Sequence, residues 1–495
     1  MTKLFGWNIS VTSLPGGSAG RLLFFTLIVL VALTGCRSVP SAVVERGNDA
    51  PFRPGHPEVY TEAIALIDAE DKPYLNLSLN VKNRSLVRRS TEAGTNLNFS
   101  VIVEIYKVEG TTTSLIQRVG YDEIIPVNPD DFFDFGEDYF DNRQLPLPEE
   151  NMLLEVWFQV TDNNSGLETV QRNYTSVTLP DGATPGVSSI SLFVMDTADS
   201  LEFRNHTSHI ITSEIDSIQF QYQLVQPEQQ SNAMLVMNLY KFPADRDPAR
   251  HLSDTFVGLG TLWYRGIEYQ RPERIASIER ELITEFGPIT FDYKSELPEP
   301  GNYRFEVIYY PDGADGERVS KLREFRVTAA RKFPQIETVQ ELRDPLVYLM
   351  TTREYEALKE IDDAEELKEA IDAFWLRNMD NAQQAQQVIE LYYSRVEQAN
   401  LQFSNFKDGW KTDMGFVYIM FGPPMYVDRA LDRMVWRYSY SDVERVSTFT
   451  FVRPKLNDEF FPFHHYVLER RRDYHSVEYN RIQSWLSGHI LSLQY

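Results

Sequence analysis

From Glu58 onward, apolar and polar positions alternate along the chain. Leu75, Leu77, Leu79 and Val81 fall on one side, with Asn76, Ser78, Asn80 and Lys82 on the other. A period of two is that of a strand with one buried face. The same pattern predicts strands over Glu58–Asp68, Leu97–Val108, Ser114–Ile125, Met152–Thr161 and Glu168–Thr178, with turns at Asn83-Arg84 and Gly94-Thr95. Leu179 to Gly186 is rich in Pro, Gly and Asp and reads as a linker. A second run of strands follows, over Val187–Met195, Ile215–Leu224, Ala233–Phe242, Phe256–Tyr264, Pro288–Tyr293, Asn302–Tyr310 and Glu317–Thr328. Pro311 to Gly316 is a hairpin turn by composition.

The pattern changes at Phe333-Pro334. Thr351 with Glu354, and Asp363 with Glu366, have the spacing of capping boxes that open helices. Asp380 is the predicted cap of a third helix. Leu367, Ile371, Phe374 and Trp375 share one helical face; Val388, Leu391, Tyr392, Val396, Ala399 and Phe403 share another. An apolar run, Phe416–Phe421, then reads as a strand stopped by Gly422-Pro423-Pro424, because proline lacks the donor that a strand needs. Met434–Tyr440, Thr448–Val452 and His465–Glu469 read as further strands. A last helix is predicted from Val477 to Ile490, with Ile482, Trp485, Leu486 and Ile490 inward.

These elements predict a mainly β, multidomain chain. Two antiparallel β-sandwiches, each resembling an immunoglobulin-like domain, occupy residues 56–180 and 187–330. An α+β domain, with helices packed on a small antiparallel sheet, fills 335–495. The 495 residues and an aromatic content of 13% suit several cores built on sheets.

Charge narrows the partners. Asp and Glu number 72 against 48 Lys and Arg, a net charge of −24. Such a surface repels nucleic acid and anionic headgroups, so no nucleic-acid partner is expected.

The front of the chain points to a membrane in another way. Leu22 to Leu33 is apolar apart from Thr26, follows Arg21, and precedes Leu33-Thr34-Gly35-Cys36. Twelve residues are too few to span a bilayer, which takes roughly 20. A charge, a short apolar core and small residues before a cut site make a secretion signal. The pattern resembles the bacterial lipoprotein signal. That resemblance implies a signal peptide over 1–35, cleavage before Cys36 and acylation of the sole cysteine, which anchors the chain through two or three lipid chains. Residues 36–55 then serve as a tether. No Asp follows Cys36, as it does in inner-membrane retention, and no acidic cluster follows, as it does in surface export. The periplasmic face of the outer membrane is the expected location.

Neither β domain shows a catalytic signature: there is no Gly-x-Ser-x-Gly elbow, phosphate loop or His-Glu-x-x-His helix in them. The acidic, aromatic stretch Pro129–Asp138 lacks calcium-loop spacing and reads as a solvated loop. His206 with His209 is weak as a zinc site, with no cysteine or flanking acid motif, and so is His464-His465 near Asp458-Glu459, since adjacent strand residues face opposite ways. No metal or cofactor is expected. Arg470-Arg471-Arg472 reads as a solvated basic run.

One set of blocks carries a family resemblance. Phe374-Trp375 with Arg377 comes first, then Tyr392 to Asn400 including Arg395. Gly409-Trp410-Lys411-Thr412-Asp413 follows, then Val417-Tyr418-Ile419-Met420-Phe421-Gly422-Pro423-Pro424, then Trp436-Arg437-Tyr438. In this order they resemble the GWxTD domain, found often on Bacteroidetes-type lipoproteins and without an established function. The resemblance covers roughly 340–455. It departs from the family at Met414, where an Arg is usual, and at Asn378, where an acid is usual.

Read physically, the motif is first a turn. Gly409 and Gly415 allow backbone angles closed to other residues. Thr412 and Asp413 bond nearby amides, Trp410 buries a large surface, and Arg395 and Arg377 pair with Asp413 or Glu397. A second reading lets Trp410, Asp413, Tyr418 and Arg395 line one pocket, and Gly422, Pro423 and Trp375 are further candidate binding or motif residues. The expected function is a non-catalytic, lipid-anchored binding or scaffold module with an envelope protein as partner. The rival is an envelope hydrolase or carbohydrate-active enzyme, which needs two facing carboxylates or a raised carboxyl pKa near Asp413.

Overall fold

The computed structural model describes residues 44–46, 55–91, 94–128, 138–179, 186–196, 202–226, 233–243, 246–255, 271–282, 287–311, 318–377, 379, 381–430, 433–439, 448–453 and 465–493. The signal, Cys36, the strand expected over Phe256–Tyr264, residues 129–137 of the acidic stretch, most of the turn at 311–316, and Asp458, Glu459 and His464 lie outside them. Within the expected tether, a short strand β1 (Val44–Arg46) is described, paired with the C-terminal sheet.

The first β domain contains β2 (Val59–Ile67), β3 (Pro73–Val81), β4 (Arg89–Thr91), β5 (Gly94–Glu109), β6 (Thr112–Pro126), β7 (Tyr139–Pro146), β8 (Met152–Asp162) and β9 (Glu168–Val177). One sheet runs β2-β3-β7. The other runs β4-β5-β8-β9, with β6 also on β5. Together they enclose Leu75, Leu79, Phe99, Val101, Val156 and Phe158. The alternation that predicted β3 is the one that fills this core. β7 was not foreseen.

The second β domain contains β10 (Gly186–Val187), β11 (Ser191–Met195), β12 (Arg204–Asn205), β13 (Ile210–Ile211), β14 (Ser217–Gln226), β15 (Ala233–Phe242), β16 (Glu273–Leu282), β17 (Gly287–Glu296), β18 (Gly301–Tyr310) and β19 (Val319–Val327). Its sheets run β10-β14-β11-β12 with β17 on β14, and β13-β19-β18-β15-β16. The short β13–β19 pair is parallel; the other pairs are antiparallel. Phe220 stacks on Phe305 across the core at 4.3 Å. The two β domains touch through polar groups. Gln223 bonds both backbone groups of Ile67 at 2.8 Å, as a strand partner would, and Arg323 pairs with Glu62 at 2.7 Å.

The C-terminal domain begins with α1 (Val339–Arg343), α2 (Thr352–Lys359), α3 (Ala364–Arg377), α4 (Ala382–Phe403) and α5 (Asp413–Phe421). It ends with β20 (Tyr426–Arg429), β21 (Arg433–Arg437), β22 (Thr448–Val452), β23 (Val467–Leu468) and α6 (Tyr474–Leu486). Its sheet runs β1-β20-β21-β22-β23. The Thr351–Glu354 capping box forms, and a second one forms at Thr338–Glu341. Asp363 accepts from the amides of Glu365 and Glu366. The cap of α4 is Asn381, which accepts from the Gln384 amide, rather than Asp380.

The run Phe416–Phe421 is a helix, not a strand. The helix α5 starts at Asp413, because Thr412 is extended and its hydroxyl accepts the Gly415 amide at 3.0 Å. Eight of its nine residues are buried. A helix wrapped in core on every side shows no 3.6 period, so the apolar run alone cannot separate it from a buried strand. Gly422, at φ 84°, ends it in the left-handed region, and the two prolines follow that stop.

Candidate functional site

The motif joins α4 to α5 by backbone-to-backbone contact. A Cβ on Gly409 would lie 1.9 Å from the carbonyl oxygen of Ala399, and one on Gly415 would lie 1.9 Å from that of Gly409. Neither glycine has a positive φ. The need for glycine here is close approach, not the special backbone angle expected from the sequence. Polar bonds fix the same turn. Ser404 Oγ accepts from the Gly409 amide at 2.8 Å, Asn400 Oδ1 from the Trp410 amide at 3.1 Å, and the Thr412 hydroxyl donates to the Gly409 carbonyl at 2.7 Å.

Trp410 is buried, edge-on to Tyr348 at 5.9 Å. The Tyr348 hydroxyl donates to the Trp410 carbonyl at 2.8 Å and accepts from the Ala249 amide at 3.1 Å. Ala249 belongs to the loop after β15, so the motif is already in contact with the second β domain.

Asp413 makes the stronger link. Its carboxylate faces Arg470, at 2.6 Å from Oδ1 and 2.9 Å from Oδ2, and Oδ2 also accepts the Leu468 amide at 2.8 Å. Both side chains are more than nine-tenths buried. Burial alone pushes the Asp413 carboxyl up, but the Arg470 guanidinium and the Leu468 amide overcome it and hold the pKa below the usual carboxylate value. Arg470 spends its remaining donors on the same loop, giving Nε to the His251 carbonyl at 3.1 Å and Nη2 to the Arg250 carbonyl at 3.2 Å. Beyond them Leu252, fully buried, enters the C-terminal core. Its amide donates to Glu478 at 2.9 Å, and the other oxygen of Glu478 holds His251 at 2.6 Å. One loop of the second β domain is thus clasped by α5, the Arg470 segment and α6.

The other end of α5 is also held by a cation. Arg395 donates to the Ile419 carbonyl at 3.1 Å and lies over the Trp485 ring at 5.2 Å. A cation there suits the negative end of the helix. Burial lowers its pKa to about 10. A Cβ on Gly422 would come within 2.7 Å of this guanidinium. Tyr438 donates to the Gly422 carbonyl at 2.7 Å, and Trp485 to that of Met420 at 3.1 Å.

Several expectations are corrected by this geometry. Arg395 does not pair with Asp413, and Arg377 sits at the surface, 2.7 Å from Glu354. Asp413 bonds a distant amide and a distant arginine instead of its neighbours. Arg470 is not a solvated member of the basic run. Trp410, Asp413, Tyr418 and Arg395 do not form one pocket. Tyr418 and Arg395 are packed inside, and of the four only Trp410 lines the cavity beside the motif. Trp375 lies in an aromatic cluster with Tyr392 at 5.4 Å, and Tyr392 in turn meets Trp485 at 5.2 Å. Arg470, Tyr348, Glu478 and the 249–252 loop were not foreseen.

Histidines take no metal-like grouping among the described residues. His206 bonds the Ile210 carbonyl at 2.8 Å. Burial pushes His206 and His209 down to about 4. His465, beside Asn405 at 3.0 Å, is pushed down to about 3. Among the described residues no helix is long and apolar enough to cross a membrane.

A mainly β chain closed by an α+β unit, with a buried Asp–Arg pair clasping the two together, is the class defined here. Residues 314–487 match the GWxTD domain family, so the C-terminal part of the chain is a GWxTD domain. The match begins before β19 and takes in Arg470 and Glu478, a wider span than the motif blocks suggest. No curated protein matches the chain. Among solved structures, a red sea bream transglutaminase is similar at 8% identity over 56% of this chain and 32% of that one, with a TM-score of 0.19. That likeness carries no argument about fold or activity.

Proposed function

We propose that this chain is a lipid-anchored envelope protein that acts by binding rather than by catalysis. Its docking unit is the GWxTD domain fixed to the second β domain. The observation that supports this is the engagement of Asp413. The one carboxylate in the motif has both oxygens bonded, is held ionised by Arg470, and is closed from solvent. A hydrolytic acid needs a raised pKa and access to substrate. The rival reading therefore finds no support at Asp413.

The lipid on Cys36 and a periplasmic outer-membrane location rest on the sequence pattern Leu33-Thr34-Gly35-Cys36. The test is a crosslinked pull-down from membranes with the wild-type chain, a Cys36→Ser chain and a Leu252→Ala chain, which loosens the clasp. Wild type should recover envelope proteins that Leu252→Ala recovers poorly, and Cys36→Ser should leave the membrane fraction. Equal recovery by all three chains would remove the basis for the composite docking unit.

A further inference from the structure

The second β domain and the GWxTD domain enclose a cavity of about 270 Å³ next to Trp410. One wall is a directly opposed cross-strand pair, Asn302 on β18 and Arg326 on β19. Opposed residues share a sheet face and lie roughly 5 Å apart at Cβ. This face is turned away from the sandwich core, which takes their neighbours Tyr303 and Phe325. Asn302 and Arg326 are each at least nine-tenths buried.

Each of the two is satisfied on one side only. Asn302 donates its amide to the Phe406 carbonyl at 2.8 Å, while its Oδ1 has no partner. Arg326 gives Nη2 to Asp408, while its Nη1 has no partner. A buried polar atom left unpaired costs about 1–3 kcal/mol, and more when it is charged. Two such atoms on neighbouring strands, both from cavity-lining residues, ask for a molecule that brings an anionic oxygen to Arg326 and an N–H or O–H to Asn302. Arg326 also makes the site hostile to a metal cation.

The rest of the lining is mixed in charge. Arg246, Lys407 and Lys411 stand against Glu341, Asp344 and Asp408, and Asp408 is paired with both Arg326 and Lys411. Trp410 and Phe333 supply an apolar wall. At about 30 Å³ per water, the volume suits a group of amino-acid size rather than a polymer.

We propose that this cavity binds a carboxylate bearing an N–H or O–H donor on the adjacent carbon. The C-terminal residue of a peptide and a free α-amino or α-hydroxy acid both present it. This is a small-molecule subsite, and its test does not depend on the protein partner proposed above.

Isothermal titration of the full chain in detergent tests it with four probes: N-acetylalanine, alanine, propionate and N-acetylalanine methylamide. N-acetylalanine should bind saturably, propionate roughly five- to tenfold more weakly for want of the donor, and the methylamide not at all. Tighter binding of N-acetylalanine than of alanine assigns the site to a peptide terminus; the reverse assigns it to a free amino acid. Asn302→Ala should erase the preference over propionate while propionate still binds. The exposed Arg246→Ala, remote from both cores, should weaken all acids severalfold, and it keeps the proposal testable if Asn302→Ala misfolds. Absence of saturable heat with every acid, or an unchanged preference in a folded Asn302→Ala chain, would overturn it and leave the cavity to water.

Discussion

Asp413 and Arg470 meet as a two-pronged ion pair at 2.6 and 2.9 Å across 57 residues of sequence, and the same guanidinium holds two carbonyls of the second β domain. The pair therefore ties α5 to a loop more than 150 residues before it. Removing one partner leaves a charge buried without compensation. Arg470→Ala should cost about 3–5 kcal/mol in urea unfolding. Asp413→Leu with Arg470→Leu together should cost less than the two single changes summed. Additive losses in that double-mutant cycle would mean the two residues are not coupled.

Leu252 carries the apolar half of the same clasp. It comes from the second β domain but lies fully buried among C-terminal core residues. Leu252→Ala should lose about 2–5 kcal/mol by leaving a cavity. Because the loop is the point of attachment, limited proteolysis should release the GWxTD domain faster than from wild type. Loss of stability without faster release would place Leu252 in an ordinary core.

Much of this was legible in the sequence where one face of an element is buried and the other is wet. β5, β8 and α4 announce themselves by period because roughly half their positions are buried, and β3 does so by the alternation of its residue types, although Ser78 and Asn80 on its polar face are buried as well. β16 did not, since nearly all its residues are exposed, the apolar Ile275 and Ile278 among them, and no buried face imposes an alternation. α5 failed for the opposite reason, burial on every side. Arg470 was hidden by its neighbours. Arg471 pairs at the surface with Asp473 and Arg472 is exposed, so the run looks solvated. Only a loop arriving from residues 250–252 buries its first member, and no local pattern can signal that.

Acid should unfold the protein in two stages. His206, His209 and His465 are held neutral at about 4, 4 and 3, whereas unfolded histidine takes up its proton near 6.5. The unfolded state then binds more protons below 6.5. Stability is full above that value and falls toward pH 4, by on the order of 1 kcal/mol per pH unit for each histidine. Asp413, with its pKa depressed, adds stability that is present above the ordinary carboxylate range and lost below it. His251 runs the other way. Glu478 raises its pKa, so its contribution is present below 6.5 and lost as pH rises through the raised value. Urea midpoints from pH 7.5 to 4.5 should fall with this slope, and His465→Gln should flatten it. An unchanged slope in that variant would remove His465 from the account.

Thr412 offers a test of the cap without touching the clasp. Its hydroxyl accepts the Gly415 amide and donates to the Gly409 carbonyl. Thr412→Ala should cost about 1–2 kcal/mol and Thr412→Ser much less, since serine keeps the hydroxyl. Equal losses in the two would assign the effect to the methyl group instead.

The glycines of the motif can be ranked against glycines elsewhere, and the ranking separates two physical causes. At Gly110, φ is 63° and a Cβ would meet nothing within 4 Å, so alanine there pays only for backbone strain, about 1–2 kcal/mol. At Gly409 and Gly415 the angles are ordinary, but the new carbon would sit 1.9 Å from a carbonyl oxygen of the adjoining backbone. No rotamer change relieves a clash between a Cβ and a main chain. The turn would have to part from α4 in the first case and from α5 in the second, taking Trp410 out of its contact with Tyr348 or moving Asp413 off Arg470. Gly409→Ala and Gly415→Ala should therefore each lose more than Gly110→Ala, at about 3 kcal/mol or above. The two together should lose less than their sum, because the first separation already makes room for the second. Thermal melts of the four variants give both comparisons, and a Gly409→Ala chain as stable as Gly110→Ala would show that the turn does not touch α4 there.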